Sequence, residues 1–581
     1  MILQALVSHY EDLAQRGEIA PPGWGNVKVS YALCIGEDGA LQDVVCLKNE
    51  QTRGKKTAMV PQEIQLPAPV KRSVGIVANF LCDNSSYLLG IDNKGKPQRS
   101  RDCFAAAREL HRQLLVDVDS PAAKTVLAFF DNWQPERAAE HSALQDVLED
   151  VMDGSNLVFR CASGFVHEDP QICKAWNSYY AGAGDGPEMV CLVTGKKGPA
   201  ENIHPSIKGV SGAQSSGAAL VSFNAPAFCS YGKEQNLNAP VGQYAAFAYT
   251  TALNHLLSDR ERVYHMGDTT VVCWAKGGES AYQDLMGGWT FDAPATLDTN
   301  ELHSLVSALC QGQKVEFEEA ELDPDNEFYI LGLSPNAARL SVRFFLRSSF
   351  GGFLQNVEAH HERMRIVRPA FDKFETLPLW KLLDETVNQN SRNKAAAPNL
   401  AGETLRAILN DTPYPAQLLQ GVRLRIRAEQ NITRGRAAII RAYYTKNRNY
   451  QVPEEVLTVS LNPDSTNVPY TLGRLFSVLE NIQAAASNNS LNTTIKDRYF
   501  NAASATPAHV FPTLVNLAQK HMKKMDGGLA AYYDKQLADL MGKLTESYPA
   551  HLSIPQQGAF QLGYYHQTQE RYTSKKNKEE N

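Results

Sequence analysis

Apolar residues recur along this chain in two rhythms, and they divide it. Ile2, Leu3, Leu6, Val7, Tyr10 and Leu13 fall on one face at helical spacing, which predicts an opening amphipathic helix. Residues 27–35 and 41–47 are β-rich runs on either side of Gly36-Glu37-Asp38-Gly39, the pattern of a hairpin. The polar stretch 48–56, followed by Pro61, Pro67 and Pro69, reads as a loop, and 74–80 as another strand. Helical periodicity dominates 104–116 and 121–151, and strands return at 190–193 and 219–223. Pro240 stands where a first helical residue would, ahead of a mostly apolar run to Leu257. Residues 328–333 and 340–346 form a last strand pair around Ser334-Pro335-Asn336-Ala337.

Beyond residue 350 strand signals become sparse. Helices are expected at 379–387, 403–410, 414–429 and 434–445, then at 496–505, 508–525, 527–547 and 556–572. Leu472, Leu475, Phe476, Leu479 and Ile482 mark another apolar stripe. The predicted class is α+β: a mixed α/β N-terminal domain (1–350), a basic helical connecting region (351–460), a C-terminal helical bundle (461–574) and a charged tail (575–581) expected to be disordered. At 581 residues a large core is expected, and no solenoid period or extended low-complexity tract interrupts it.

Charge sharpens this division. The net charge of −6 argues against a nucleic-acid protein if taken alone, because phosphate affinity comes chiefly from Lys and Arg. Residues 341–581, however, hold 30 basic and 21 acidic residues, a net +9, which leaves −15 for residues 1–340. Acids concentrate at 316–327, read as a solvated loop in preference to a protein-docking surface. The ten cysteines include no pair at zinc-ribbon spacing and are expected to be reduced core thiols of a cytoplasmic protein. There is no signal-peptide pattern and no apolar run of membrane-spanning length, so neither secretion nor membrane insertion is expected.

Two constellations carry candidate chemistry. Arg423, Arg425, Arg427, Arg434, Arg436, Arg441, Lys446 and Arg448 lie within 26 residues that contain one acid, Glu429. On successive helices such a set could guide a sugar-phosphate backbone of single-stranded or heteroduplex nucleic acid, with Tyr443, Tyr444 and Tyr450 stacking on bases; the alternative is an ordinary solvated face. The second is the small-residue run 208–219, where Lys208, Gln214, Ser215 and Ser216 stand among glycines that admit a close ligand; it could read a minor groove or wedge between strands. Lys55 and Lys56, and then Lys71, Arg72, Asn84 and Ser85, are further candidates for duplex contact. Gln214-Ser215-Ser216-Gly217 is faintly like an amidase turn, but no Gly-x-Ser-x-Gly elbow, P-loop or His-Glu-x-x-His accompanies it. His360-His361-Glu362 has the wrong spacing, and His204 is expected to pack locally. No catalytic residue, metal or cofactor is assigned.

The opening MILQALVSHYEDL, the segment KKTAMVPQEIQLPAPVKRSVGIVANFLCDNSSYLLG, the string VSFNAPAFCSYG with NAPVGQYAAFAYTTALNHLL, and FYILGLSPNAARLSVRFF together resemble the large subunit of the type I-C CRISPR surveillance complex (Cascade), a Csd-type family. The resemblance runs from the first residues to the C-terminal helices. It implies a nonenzymatic subunit that recognises the short motif flanking a DNA target (the PAM), helps to open the duplex and stabilise the R-loop, and presents the displaced strand to a recruited helicase-nuclease. Its implied partners are a crRNA-containing complex with backbone and crRNA-processing subunits, target duplex DNA, and small subunits translated from within the same gene. No Met lies between Met364 and Met522, so a small subunit beginning near residue 461 needs a non-AUG start, at the Val456, Val459, Leu461 or Val468 codon.

Overall fold

The computed structural model describes all residues except 54–55, 71, 73–74, 183–185, 292–298, 393, 395, 450, 488–491, 545–546 and 580–581, and gives the backbone alone for 51–53, 56–57, 181–182, 299 and 573–579. The fold is α+β. It separates into two compact units, Met1–Pro205 with Val221–His255, and Ser206–Leu220 with Leu256–Asn581. Residue 350 lies inside the second unit, whose apolar core runs from Tyr264 to Tyr565 without a break there.

The first unit opens with the expected helix, Ile2–Gln15, which buries Leu6, Tyr10 and Leu13. The run 27–35 divides at Ser30 into Trp24–Val29, paired with Gln62–Pro67, and Tyr31–Ile35. Tyr31–Ile35 forms the predicted hairpin with Leu41–Cys46 and pairs in parallel with Asn156–Cys161, which in turn carries Cys82–Asn84. Behind this sheet pack Pro97–Leu115 and Pro121–Asn132, each started by a proline whose missing N–H costs nothing in a first turn. His111 fixes the join: its Nε2 accepts from the Leu81 N–H at 2.9 Å, its Nδ1 lies 2.7 Å from the Ala107 carbonyl, and burial lowers its pKa to about 4.

Four expectations need correction here. The stretch 48–56 holds a hairpin, Asn49–Arg53 with Lys56–Val60, where polarity alone suggested a loop. The described part of 74–80 is not a strand, and the strand begins only at Cys82. Residues 121–151 are not one continuous helix: after Asn132 come short 3-10 turns at Pro135–Glu140 and Ser142–Leu144, and α-helix returns at Leu148–Met152. The helix expected from Pro240 starts at Gln243.

The second unit is built on an antiparallel sheet in the order Tyr264–Met266, Thr269–Ala275, Glu327–Asn336, Arg339–Ser349. All seven residues of Thr269–Ala275 are buried, as expected of a central strand covered on both faces. The last two strands run longer than the sequence pattern suggested, with Ala337 taking a positive φ of 54° in the turn. The acidic stretch forms a small hairpin, Val315–Phe317 with Ala320–Leu322. Helices then follow close to expectation, among them Pro398–Leu409, Ala416–Glu429, Arg434–Lys446, Val468–Ala486 and Ile554–Glu579. The backbone of the last helix covers most of the expected disordered tail, and 580–581 lie outside the described residues.

Two helices of the bundle, Val468–Ala486 and Ile554–Glu579, meet backbone to backbone. A Cβ on Gly473 would stand 1.9 Å from the Phe560 carbonyl oxygen, and one on Gly563 would stand 2.1 Å from that of Tyr470. Only glycine fits these two positions. All ten cysteines are free thiols, but only Cys82, Cys103, Cys191 and Cys273 are fully buried, and Cys46 is exposed rather than in the core. Among the described residues no helix is long and apolar enough to cross a membrane.

Candidate nucleic-acid interface

The small-residue run Ser206–Leu220 belongs to the second unit and is anchored at several points along its length. Ile207 and Ala218 exchange backbone hydrogen bonds across its neck, and the Ser211 N–H donates to Thr270 Oγ1 at 3.1 Å. Ala219 bridges the strand Arg339–Ser349, giving its N–H to Ala338 and accepting from Leu340. Gly209, Gly212 and Gly217 take positive φ of 90°, 76° and 98°, which lets the chain fold back three times within a few residues. Val210 and Ala218 point inward; Lys208, Gln214, Ser215 and Ser216 are exposed. The expected strand 219–223 is absent, reduced to isolated bridges at Ala218 and Ala219, because the run is held by a neighbouring strand edge and does not extend one.

The arginine-rich segment forms the helices Ala416–Glu429 and Arg434–Lys446, but most of its cations point into the protein. Arg436 is 3% exposed, with Nη2 on Glu429 at 2.6 Å, Nε facing Glu385 at 3.2 Å and Nη1 donating to the Asn431 carbonyl at 2.8 Å. Arg434 is 7% exposed and donates to the Phe374 and Glu375 carbonyls at 2.5 and 2.7 Å, with Asp372 at 3.2 Å. Arg441 gives its hydrogens to the carbonyls of Leu457, Glu362 and Arg363, and burial lowers its pKa. Lys446 shares Asp411 with Arg363, at 2.6 and 2.8 Å.

A charge brought out of water costs several kcal/mol unless ion pairs and hydrogen bonds replace the lost solvation, and these contacts supply that replacement. Arg434 and Arg436 are therefore buried struts, and Arg441, half-buried, spends its Nε and Nη1 on backbone carbonyls. Arg423 and Arg425 are half-buried, the latter 3.4 Å from Glu429; Arg427 and Arg448 are exposed. Tyr444 is buried, Tyr443 is half-buried against it, and Tyr450 lies outside the described residues.

The first-unit candidates fare similarly. Lys55 and Lys71 lie outside the described residues, and Lys56 is described only as strand backbone. Arg72 clamps the buried Asp83 with both Nη atoms, donates from Nε to the Val77 carbonyl at 2.6 Å and lies 3.9 Å over the Tyr87 ring. Asn84 caps the short helix Ser85–Leu88 by accepting from the Ser86 N–H, and Ser85 is 1% exposed. Ser85 is thus buried, and Asn84, half-buried, spends its Oδ1 on the cap. His204 packs on Tyr249 Oη at 2.7 Å and His360 on Tyr414 Oη at 2.7 Å, each with its pKa lowered by burial.

One feature escaped the sequence entirely. A cavity of about 640 Å³ opens in the second unit between the segment 369–374, the first turn of Arg434–Lys446, Lys496, and the face of Ile554–Glu579 that carries Tyr564, Tyr565 and Tyr572. Its walls are held from inside: Arg434 fixes the carbonyls of 374 and 375, and Tyr565 Oη donates to the Val367 carbonyl at 2.7 Å. Burial alone would raise the Asp372 carboxyl, yet the Phe374 N–H, Arg434 and Lys381 together hold it below its ordinary value. Its residues come from four separated stretches, none of which carries a recognisable motif.

Residues 6–572 match the family described as CRISPR-associated protein (Cas_Csd1), nearly the whole chain. The chain belongs to the Cas_Csd1 family. No curated protein matches it. In this Cas_Csd1 chain the side chains of Lys208, Gln214, Ser215 and Ser216, and of Arg427 and Arg448, are exposed, whereas Arg434 and Arg436 are buried and Arg441 is half-buried.

Proposed function

We propose that this CRISPR-associated protein is the noncatalytic large subunit of an RNA-guided DNA-surveillance complex of the type I-C kind. It would read the flanking motif in target duplex DNA, promote strand opening, stabilise the R-loop and recruit a helicase-nuclease. Sequence-specific reading is delegated to the guide RNA, so the protein need supply only shape, charge and a short duplex readout. The observation that carries the reading, beyond family membership, is the Ser206–Leu220 loop. It presents Lys208, Gln214, Ser215 and Ser216 on a frame anchored to a sheet, with no acid in the run to repel phosphate. Small subunits matching residues 461–574, made from an internal start, belong to the same proposal; mass spectrometry of the purified complex should find them.

A second reading, an assembly scaffold that never touches DNA, gains support from the inward-facing arginines. Binding of the guide-containing complex, with and without this chain, to duplexes with randomised flanking positions separates the two. Motif-dependent binding that requires the chain is expected; motif preference that survives its omission would leave the scaffold reading standing.

A further inference from the structure

We propose that the cavity walled by Phe371, Phe374, Tyr564 and Tyr572 holds an unpaired nucleotide of single-stranded DNA, its base against the exposed rings of Phe371 and Tyr572 and its phosphate on Lys373 and Lys496. The proposal rests on the preceding reading only for the identity of the strand. The chemistry of the groove stands by itself.

Three observations carry it. First, the volume of about 640 Å³ falls within the roughly 300–1,000 Å³ of small-ligand sites, room for a nucleotide but not for a duplex. Second, Phe371 is 87% exposed and Tyr572 58% exposed on the rim of a single cavity, so two aromatic rings there face largely into solvent. Every base has a π-face to offer such rings. Third, the charges do not cancel. Asp372 is met by Lys381 and Arg434, and Glu385 by Arg436, whereas Lys373 and Lys496 have no ion pair among the described residues. Lys496 Nζ stands 5.5 Å from the Tyr564 ring centre, so one cation and one ring already share a wall, the pairing that a base with its phosphate requires. An apolar peptide would leave both lysines unanswered.

The test uses the full chain and a short oligothymidylate carrying a single 2-aminopurine, followed by anisotropy and by quenching of the analogue on stacking. Phe371→Ala and Tyr572→Ala, both at exposed positions, should keep the parent melting curve, weaken binding between about fivefold and a hundredfold, and abolish the quenching. Phe371→Trp should restore both. Lys373→Ala and Lys496→Ala should each flatten the salt dependence by about 0.7 in log–log slope, which the ring variants leave unchanged. Parent-like binding by both ring variants, or an abasic oligonucleotide that binds as tightly as thymidylate, overturns the proposal. An oligouridylate that binds tighter through the same rings overturns its assignment to DNA. Loss of the groove leaves motif-dependent duplex binding by the assembled complex intact, and loss of motif dependence leaves the oligothymidylate result intact, so failures of the two readings are distinguishable.

Discussion

The Ser206–Leu220 loop and the helices Ala416–Glu429 and Arg434–Lys446 are both conspicuous in the sequence, and the structure uses them in opposite ways. The loop, almost without charge, places its polar side chains outside and its few apolar ones beneath. The helices, dense in charge, turn Arg434 and Arg436 inward and tie Arg441 to three carbonyls. The difference is one of reach. A guanidinium has five donors on a long stem and can satisfy several buried acceptors at once, so an arginine-rich helix can staple a core together. Gln and Ser on a glycine-pinned turn cannot reach inward and remain on the surface. Density of charge along a chain therefore says little about charge presented to a ligand.

The largest effect that would sharpen this contrast is expected at Arg436. Replacing it with Ala leaves Glu385 and Glu429 without their shared partner and should destabilise folding by about 3–5 kcal/mol in urea denaturation; a loss confined to DNA affinity would place Arg436 back on the surface. Arg441→Met, which strands three carbonyls, should cost at least about 2 kcal/mol in the same assay. On the loop, Gly212→Ala at φ 76° should cost about 1–2 kcal/mol locally, seen as faster amide exchange in the loop with the global midpoint little moved. Replacing Gln214, Ser215 and Ser216 together by Ala should leave stability within about 0.5 kcal/mol while weakening motif discrimination by about 1–3 kcal/mol; equal losses on matched and mismatched motifs would break the comparison. The smallest effect belongs to the exposed pair: Arg427→Ala and Arg448→Ala should leave the melting curve alone and each lower the salt slope of duplex binding by about 0.9.

Periodicity made much of this fold legible. The opening helix, the hairpin around Gly36–Ala40, the long strand pair near residue 330 and nearly every helix beyond 379 follow from spacing alone. Errors arose where local polarity and tertiary use disagree. Asn49–Arg53 pairs as a strand despite its polar sequence, since a two-stranded ribbon needs only backbone partners. Ala218 and Ala219 have a strand-like sequence but only bridge the edge of another strand. The exposure of the 208–216 loop was readable from its composition. The burial of Arg434 was not, because its acceptors are carbonyls more than fifty residues away, and a carbonyl leaves no mark in a sequence. For the same reason the ring-lined cavity is invisible until four distant stretches are brought together.

The glycine contacts at 473 and 563 have a mechanical meaning. With the Phe560 carbonyl seated in the notch at Gly473 and the Tyr470 carbonyl in that at Gly563, the two helices mesh like a pair of gear teeth, and sliding either one along its axis would drive a carbonyl against a side chain. Tyr564 and Tyr565, which wall the groove, sit on the turn that carries one of those teeth. A displacement of that turn along the helix axis would meet the backbone of Val468–Ala486 directly, with no deformable side chain between them to take it up, so the two helices would move as one piece.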